Sequence, residues 1–181
     1  MRIALLGFRA TGKSLIGSLL ARRLGLPFVD LDQYISQKSG QKIAEIVKQG
    51  GWEAFRKLEK EALRRFAREN KPLVLALGGG AVLHEEEMDL LAQRAFIIWL
   101  TARPETILER LEKDQKTASQ RPHLTDKSLE EEVREVLTQR TPLYQRFADL
   151  SLATDRLSPE EIVQKIVAHL WQTKGEKACQ R

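Results

Sequence analysis

The chain has 181 residues, of which 42% are hydrophobic and 30% charged, and this length suits one compact domain with a sizeable core. The sequence contains no apolar run of 18 residues, and its apolar start, MRIALLGF, is too short for a signal peptide, so we expect a cytoplasmic protein without a membrane partner. The single cysteine, Cys179, excludes a disulfide within the chain, and the spacing of the three histidines does not indicate a zinc site.

Apolar runs predict five short buried strands, at residues 2–7, 27–32, 73–80, 95–100 and 149–154. Apolar residues at helical spacing predict helices at residues 14–25, 42–51, 52–70, 84–93, 103–114, 128–148 and 158–171. Ser128 with Glu131, and Ser158 with Glu161, have the spacing of capping boxes. The alternation of strands and helices predicts an α/β fold, with a five-stranded parallel sheet flanked by helices on both faces. The polar segment 115–127 predicts a mobile loop.

The net charge of +5 and the sequence pI of about 9.4 are compatible with binding either nucleic acid or an anionic small molecule. The basic residues alternate with acidic ones along helical segments such as FRKLEKEALRRFAREN, which is typical of a solvated helix face. A small anionic substrate therefore accounts for the surplus of positive charge equally well, and we expect no nucleic-acid partner.

The stretch GFRATGKS lies between the first predicted strand and the first predicted helix. Gly7, Gly12, Lys13 and Ser14 match the phosphate-loop pattern G-x-x-x-x-G-K-[ST] in the structural context that it requires. Backbone N–H groups of such a loop hold phosphate oxygens, the lysine reaches the β- and γ-phosphates, and the serine hydroxyl ligates Mg²⁺. The pattern predicts a site for a nucleoside triphosphate, and the missing N-K-x-D motif disfavours a GTPase.

Asp30 and Asp32 end the second predicted strand and point to the same face if that strand continues to Asp32. Ligands of open parallel sheets bind at these carboxyl ends, so one carboxylate can face Mg²⁺ through water and the other can accept a hydrogen bond from a substrate hydroxyl. In the alternative interpretation, Asp32 only caps the helix that follows. Three glycines, residues 78–80, end the third strand, where a backbone without side chains lets a ligand approach closely.

Three arginines are ambiguous when each is considered alone. Arg56 has the spacing of a surface residue paired with Glu59, and Arg140 precedes Pro142, which we expect to break the helix predicted for residues 128–148. Arg121 lies in the polar loop, from which it can reach over a phosphate.

The order of six stretches along the chain, GFRATGKS, FVDLD, GWEAFRKLE, LALGGGAV, QRPHL and QRTPLY, resembles the shikimate kinase family from near the N-terminus to the last helix. The resemblance implies a P-loop kinase domain of the nucleoside-monophosphate-kinase type over residues 1–172. It further implies a lid at about 113–127, and residues 173–181 are expected to form a disordered tail. The implied reaction moves the γ-phosphoryl group of ATP to the 3-hydroxyl of shikimate, on the route to chorismate and aromatic amino acids. We expect a monomer whose partners are ATP and shikimate.

The resemblance also implies roles for single residues. Those on the ATP side are Gly7, Ala10, Thr11, Gly12, Lys13, Ser14, Leu15, Arg110, Arg121 and Pro159. Those on the shikimate side are Asp32, Arg56, Gly78, Gly79, Gly80 and Arg140. Lys13, Asp32 and Arg121 are the implied catalytic residues, with Asp32 as the candidate general base, and Ser14 and Asp30 are implied to serve Mg²⁺.

The sequence departs from the family pattern at three places. Ala10 stands where a glycine is frequent in the phosphate loop, Trp52 stands where an acidic residue is common, and RPHL replaces RPLL.

Two other functions remain open at this point. One is another small-molecule kinase of the same fold, such as a gluconate kinase or a nucleotide kinase. The other is a nucleic-acid-dependent ATPase, whose activity RNA or DNA would stimulate in a salt-dependent way.

Overall fold

The computed structural model describes residues 1–113, 124 and 127–179, with the side chains of residues 173–179 left aside. Arg121 and most of the predicted lid therefore lie outside the described residues. One five-stranded parallel sheet has the strand order β2–β3–β1–β4–β5. The strands are β1 (Arg2–Leu6), β2 (Phe28–Asp30), β3 (Leu73–Ala76), β4 (Phe96–Thr101) and β5 (Leu150–Ala153). This sheet confirms the predicted fold class.

Helices cover both faces of the sheet. They are α1 (Lys13–Leu24), α2 (Leu31–Ser39), α3 (Ile43–Arg68), α4 (Glu85–Ala92), α5 (Pro104–Lys113), α6 (Leu129–Phe147) and α7 (Pro159–Cys179). Side chains alternate along β1, so Ala4 and Leu6 join one hydrophobic cluster with residues of α2, α3, α4 and α6. Ile3 and Leu5 join a second cluster with residues of α1 and α7. No helix among the described residues is long and apolar enough to cross a membrane.

Helix α3 combines two segments that the sequence predicts as separate helices. Gly51 interrupts the helical backbone between them, with φ 69° and ψ 179°. A left-handed φ of this kind is accessible mainly to glycine, because a Cβ atom would meet the neighbouring backbone. The predicted division at this point is therefore present as a kink in the helical backbone at Gly51.

Pro142 lies inside α6, which continues to Phe147, so the prediction that this proline breaks the helix is wrong. A proline removes one backbone hydrogen bond, but Tyr144 and Phe147 beyond it are buried in the core and hold the last turn in place. Arg140 is consequently a residue of the helix interior.

The last helix, α7, also continues beyond its predicted end at residue 171, through a stretch rich in glutamine, lysine, glutamate and alanine.

Candidate active site

The phosphate loop connects the end of β1 to the start of α1. Its backbone has positive φ at Gly7 (143°), Ala10 (63°) and Gly12 (90°). Within the described chain, Ala10 is the one residue other than glycine with a positive φ, a conformation that costs an L-residue about 1–2 kcal/mol. The loop thus keeps, with an alanine, a backbone conformation that suits glycine better.

The side chains of Lys13 and Thr11 both fold back onto the loop. Lys13 Nζ donates a hydrogen bond to the Phe8 carbonyl at 2.7 Å, and Thr11 Oγ1 donates to the same carbonyl at 2.8 Å. Lys13 and Thr11 are buried, whereas Ser14 and Leu15, in the first turn of α1, are exposed. Both side chains therefore bind the same carbonyl oxygen, that of Phe8, and the ammonium group of Lys13 lies against the loop backbone.

Asp30 connects the phosphate loop to the end of β2. Its Oδ1 atom accepts hydrogen bonds from the backbone N–H groups of Asp32 (3.0 Å) and Gln33 (3.1 Å), and its Oδ2 atom accepts one from the Ser14 hydroxyl. Asp30 is thus the N-cap of α2. This corrects the prediction that the strand runs through Asp32, and also the alternative in which Asp32 is the cap. Asp32 lies in the first turn of α2, buried and facing the pocket described next.

One pocket, with about 430 Å³ of empty space, brings most of the predicted acceptor residues together. Its lining residues are Phe8, Arg9, Asp32, Ile43, Trp52, Phe55, Arg56, Glu59, Gly79, Gly80, Leu124 and Arg140. Gly78 lies directly behind the lining, because a Cβ atom built on it would be 2.8 Å from Asp32 Oδ1. Three guanidinium groups and two carboxylates therefore share one cavity beside the phosphate loop.

Arg56 enters this pocket from α3, between two aromatic rings. Its guanidinium carbon lies 5.4 Å from the ring centroids of Trp52 and Phe55, and its Nη1 atom forms an ion pair with Glu59. The expected pairing of Arg56 with Glu59 is present, but Glu59 is completely buried and Arg56 is half-buried. The pair therefore belongs to the pocket, and the ring of Trp52 packs against the Arg56 guanidinium.

The arginine on α6 is anchored to the triple-glycine turn. Arg140 Nη1 and the Tyr144 hydroxyl both donate hydrogen bonds to the Gly79 carbonyl, at 3.0 Å and 2.6 Å. Burial lowers the pKa of Arg140 from its ordinary high value, and burial raises the pKa of Tyr144 to about 12, so the phenol remains a hydrogen-bond donor at neutral pH. A Cβ atom built on Gly79 would lie 3.4 Å from the Arg9 backbone nitrogen, so this turn packs on the phosphate loop.

Sequence reasoning missed Glu59, which lines the pocket, and His84, which contacts Glu59 but does not line the pocket. His84 Nε2 lies 3.1 Å from Glu59 Oε2, the oxygen that also accepts from Arg56. Burial raises the pKa of Glu59, but the hydrogen bond with His84 and the positive charge of Arg56 outweigh burial, so the net pKa is lowered. The only sequence signal was the three-residue spacing of Arg56 and Glu59, because His84 is 25 positions away.

The lowered pKa of Glu59 predicts a specific acid-stability effect. A carboxyl group whose pKa is lowered in the folded protein stabilises the fold at pH values above its ordinary pKa, here 4.5. This contribution is lost as the pH falls through the pKa of the folded state. We expect Glu59→Gln to be less stable than the unaltered protein at pH 7, with the difference shrinking below pH 4.5. Urea unfolding at several pH values measures this difference. Glu53→Gln, an exposed residue of the same helix, should give a small difference that does not vary with pH, and a constant difference for Glu59→Gln would contradict the prediction.

Glu132 is a second buried carboxylate that sequence reasoning missed. It forms an ion pair with Arg9 of the phosphate loop, and its Oε2 atom accepts a hydrogen bond from the Leu124 backbone N–H at 2.7 Å. Arg9 and Leu124 both line the pocket. One acidic side chain of α6 thus ties the phosphate loop to the segment that ends the predicted lid.

Two residues expected on the ATP side, Arg110 and Pro159, lie at different places in the fold. Arg110 donates hydrogen bonds to the Ala10 carbonyl (3.1 Å), the Thr154 hydroxyl (2.9 Å) and the Thr154 carbonyl (2.6 Å). Pro159 is the first residue of α7, next to Ser158, which forms the predicted capping box with Glu161. The structure therefore places Arg110 against the loop and Pro159 at a helix start.

Comparison with known proteins gives a consistent result. The sequence profile of the family described as shikimate kinase matches residues 9–171. A shikimate kinase of Rhodopirellula baltica is 40% identical over 163 residues, which cover 90% of this chain and 87% of that protein. The solved structure of the shikimate kinase from Acinetobacter baumannii in complex with shikimate has a TM-score of 0.88 at 32% identity, covering 96% of this chain and 94% of that chain. A gluconokinase from Sinorhizobium meliloti, with a TM-score of 0.59 and 17% identity over 99% of this chain and 96% of its own, shares the fold alone.

Proposed function

Because this chain belongs to the shikimate kinase family, and is thus an ATP-dependent kinase that phosphorylates a hydroxyl of shikimate, we propose how its pocket performs that reaction. The observation that carries the proposal is the meeting of Asp32, Arg56 and Arg140 in one cavity beside the phosphate loop. In the proposal, the two arginines hold the carboxylate of shikimate, and Asp32 faces its 3-hydroxyl.

The two guanidinium groups suit a carboxylate for physical reasons. A guanidinium presents its N–H donors in a planar fork that matches the two oxygens of a carboxylate, and such charge-assisted pairs are about twice as strong as neutral hydrogen bonds. Arg140 uses Nη1 for the Gly79 carbonyl, and Arg56 uses Nη1 for Glu59, so each guanidinium is oriented by the protein before the substrate enters. A preoriented clamp loses little side-chain entropy on binding.

Gly80 gives a test of this clamp. A methyl group on Gly80 would occupy the space of the Arg56 guanidinium, while the backbone there, with φ −100° and ψ −1°, accepts alanine without strain. We expect Gly80→Ala to raise the KM for shikimate about tenfold, the effect of weakening one charge-assisted contact, and to leave the KM for ATP unchanged. Steady-state kinetics measures both constants, and thermal unfolding controls for stability. A normal KM for shikimate would count against Arg56 as a carboxylate ligand.

Asp32 is the proposed general base for the acceptor hydroxyl. Its carboxylate accepts the hydroxyl proton as the oxygen bonds to the γ-phosphorus and the bond to the departing ADP oxygen breaks. Asp32 lies in the first turn of α2, and its buried side chain lines the pocket beside the phosphate loop. The residue is therefore placed to accept a proton at the acceptor side of the phosphate loop.

The phosphate loop is the proposed donor site. Its N–H groups and Lys13 would hold the β- and γ-phosphates of ATP, with Lys13 Nζ exchanging the Phe8 carbonyl for a phosphate oxygen. Arg121, which lies outside the described residues, is proposed to contact the phosphates from the lid, and Arg110 and Pro159 to flank the adenine. Positioning and charge neutralisation account for most of the catalysis in such a transfer.

Ser14 and Asp30 are the proposed residues on the side of Mg²⁺. A hydroxyl and a carboxylate, already in contact, are oxygen donors of the kind that Mg²⁺ prefers, and this ion normally keeps several waters and takes few protein ligands. Among the described residues, no group of three or more acidic, histidine or cysteine side chains could hold a metal. When bound, the ion would supply positive charge that neutralises the phosphates. Asp30 would face it while still capping α2.

Release of ADP, measured with and without shikimate, tests the whole proposal. We expect turnover that requires ATP, Mg²⁺ and shikimate together. Turnover should be at least about 100-fold lower with gluconate or a nucleoside monophosphate, since neither places a carboxylate and a hydroxyl in the same relative positions as shikimate does. ADP release that does not depend on shikimate, or that RNA stimulates, would overturn the proposal.

A monomer in the cytoplasm, without a nucleic-acid partner, completes the proposal. Within the described part of the chain, the exposed large apolar side chains belong to four separate segments: Met1, Leu15, Leu83 and Trp171. Sedimentation should therefore give a mass near 20.7 kDa, the mass of one chain, and twice this value would identify a dimer.

A further inference from the structure

We propose that His84 is a positioning residue for binding of the shikimate carboxylate. His84 holds Glu59 in place, and Glu59 in turn orients the Arg56 guanidinium in the pocket. The inference rests on the proposed function, in which Arg56 binds the carboxylate of shikimate. It adds a residue from outside the motifs on which the resemblance to the family depends.

One oxygen atom carries both contacts. Glu59 Oε2 accepts from Arg56 Nη1 and lies 3.1 Å from His84 Nε2, so the histidine and the arginine meet on the same carboxylate oxygen. Glu59 is completely buried, and the His84 side chain is only 10% exposed. The three side chains thus form a continuous chain of contacts from the interior to the pocket wall.

The backbone of His84 is fixed independently of this contact. His84 N donates to the Ala81 carbonyl at 3.1 Å, and the His84 carbonyl accepts from Met88 N at 2.9 Å at the start of α4. A short 3₁₀ turn, Ala81–Leu83, connects His84 to the triple-glycine turn of the pocket. The imidazole therefore approaches Glu59 from an anchored position, which is what a positioning residue requires.

Electrostatics explains why Glu59 needs a second donor. A buried carboxylate needs donors that compensate its charge, because an uncompensated charge in the interior is costly. Glu59 receives both of its donors at Oε2. In the proposed complex, Arg56 faces two carboxylates, that of Glu59 and that of shikimate. A hydrogen bond from His84 keeps Glu59 charged and in place while Arg56 directs its remaining N–H groups to the substrate.

A purely structural role for His84 predicts different kinetics. Such a role would lower the stability of the fold and disturb both substrates alike. A positioning role changes the binding of shikimate, leaves that of ATP unaltered, and is restored by a residue that keeps a donor at the position of Nε2. Glutamine is such a residue, since its amide nitrogen extends about as far along the side chain as Nε2 of histidine.

The experiment compares His84→Leu with His84→Gln. We expect His84→Leu to raise the KM for shikimate about tenfold, as for one lost charge-assisted hydrogen bond, with kcat and the KM for ATP each within about twofold. His84→Gln should return the KM for shikimate to within about threefold of the unaltered protein, because its amide can donate to Glu59. The matched control is His169→Leu, on the opposite face of the sheet next to Phe96, which should leave all three constants unchanged.

Arg56→Lys, measured alongside, distinguishes a failure of the inference about His84 from a failure of the proposed function. If Arg56→Lys raises the KM for shikimate but His84→Leu does not, the inference about His84 is wrong and the proposed function stands. If neither variant changes this KM, the proposed carboxylate clamp fails as well. If His84→Leu changes the KM for ATP as much as that for shikimate, or His84→Gln restores nothing, the residue is structural and the inference is overturned. Thermal unfolding of each variant confirms that folded protein is compared.

Discussion

Replacing Asp32 by asparagine should lower kcat at least about 10³-fold, within the range that general-base catalysis contributes, while ATP still binds. Asparagine has the same shape, and the backbone N–H of residue 32 still donates to the Asp30 cap, so the fold and α2 should persist. What disappears is the acceptor for the proton of the shikimate hydroxyl. Single-turnover phosphoryl transfer measures the loss, and binding of a fluorescent ATP analogue measures the donor site separately.

The control for this variant is Asp89→Asn, which changes an exposed aspartate of α4 that pairs with Arg146. It should leave kcat within about twofold, because exposed ion pairs contribute little. A kcat for Asp32→Asn within about tenfold of the unaltered protein would remove Asp32 from the role of base, since general-base catalysis contributes more than that. The hydroxyl proton would then leave directly to a phosphate oxygen or to water.

Arg140→Lys should raise the KM for shikimate about 100-fold and lower kcat much less, because the planar fork of a guanidinium is replaced by a point charge. Lysine keeps a positive charge and a donor that can reach the Gly79 carbonyl, so the triple-glycine turn should remain anchored. The Tyr144 hydroxyl, which also donates to this carbonyl, supports the same anchor. Steady-state kinetics at saturating ATP measures the effect.

Arg146→Lys on the same helix is the matched control, since its guanidinium is exposed and pairs with Glu85 and Asp89 outside the pocket. It should change the KM for shikimate by less than about twofold. A KM for Arg140→Lys that is equally unaffected would mean that the carboxylate of shikimate does not lie against Arg140.

The sheet and the phosphate loop were predictable from the sequence because both depend on local signals. Apolar runs of strand length, separated by helical periodicities, indicate a parallel sheet without any knowledge of contacts. Gly12, Lys13 and Ser14 identify the loop because their spacing carries its own chemistry. The capping boxes of Ser128 with Glu131 and Ser158 with Glu161 are present for the same reason.

The two errors have different causes, which are core packing at Pro142 and a competing local helix cap at Asp30. Pro142 does not end α6, because the residues that follow it are held in the core. The chain turns into α2 immediately after Asp30, whose side chain caps that helix, so alternation along a strand could not describe Asp32. The boundary at Gly51 was located correctly, since the backbone of this residue is not helical and separates two helical segments.

The acceptor pocket was only partly predictable. Arg56 and Arg140 are ordinary helix arginines until the fold brings α3 and α6 to the same cavity, so their assignment depended on the resemblance to a family. His84 and Glu132 could not be found in this way, because each meets its partner across many residues of sequence. Buried carboxylates with several donors are visible only once the tertiary structure is known.

The strand order has a consequence for how the protein matures on the ribosome. Strand β1 precedes the other four strands along the chain and lies at the centre of the sheet, and its neighbours β3 and β4 begin about 70 and 95 residues later. The nucleotide loop that follows β1 is therefore made well before both neighbouring strands are available, since the second of them, β4, emerges only after more than half of these 181 residues. Capture of nucleotide by stalled nascent chains of increasing length should consequently begin abruptly, after β4 has left the exit tunnel, and not when the loop itself does.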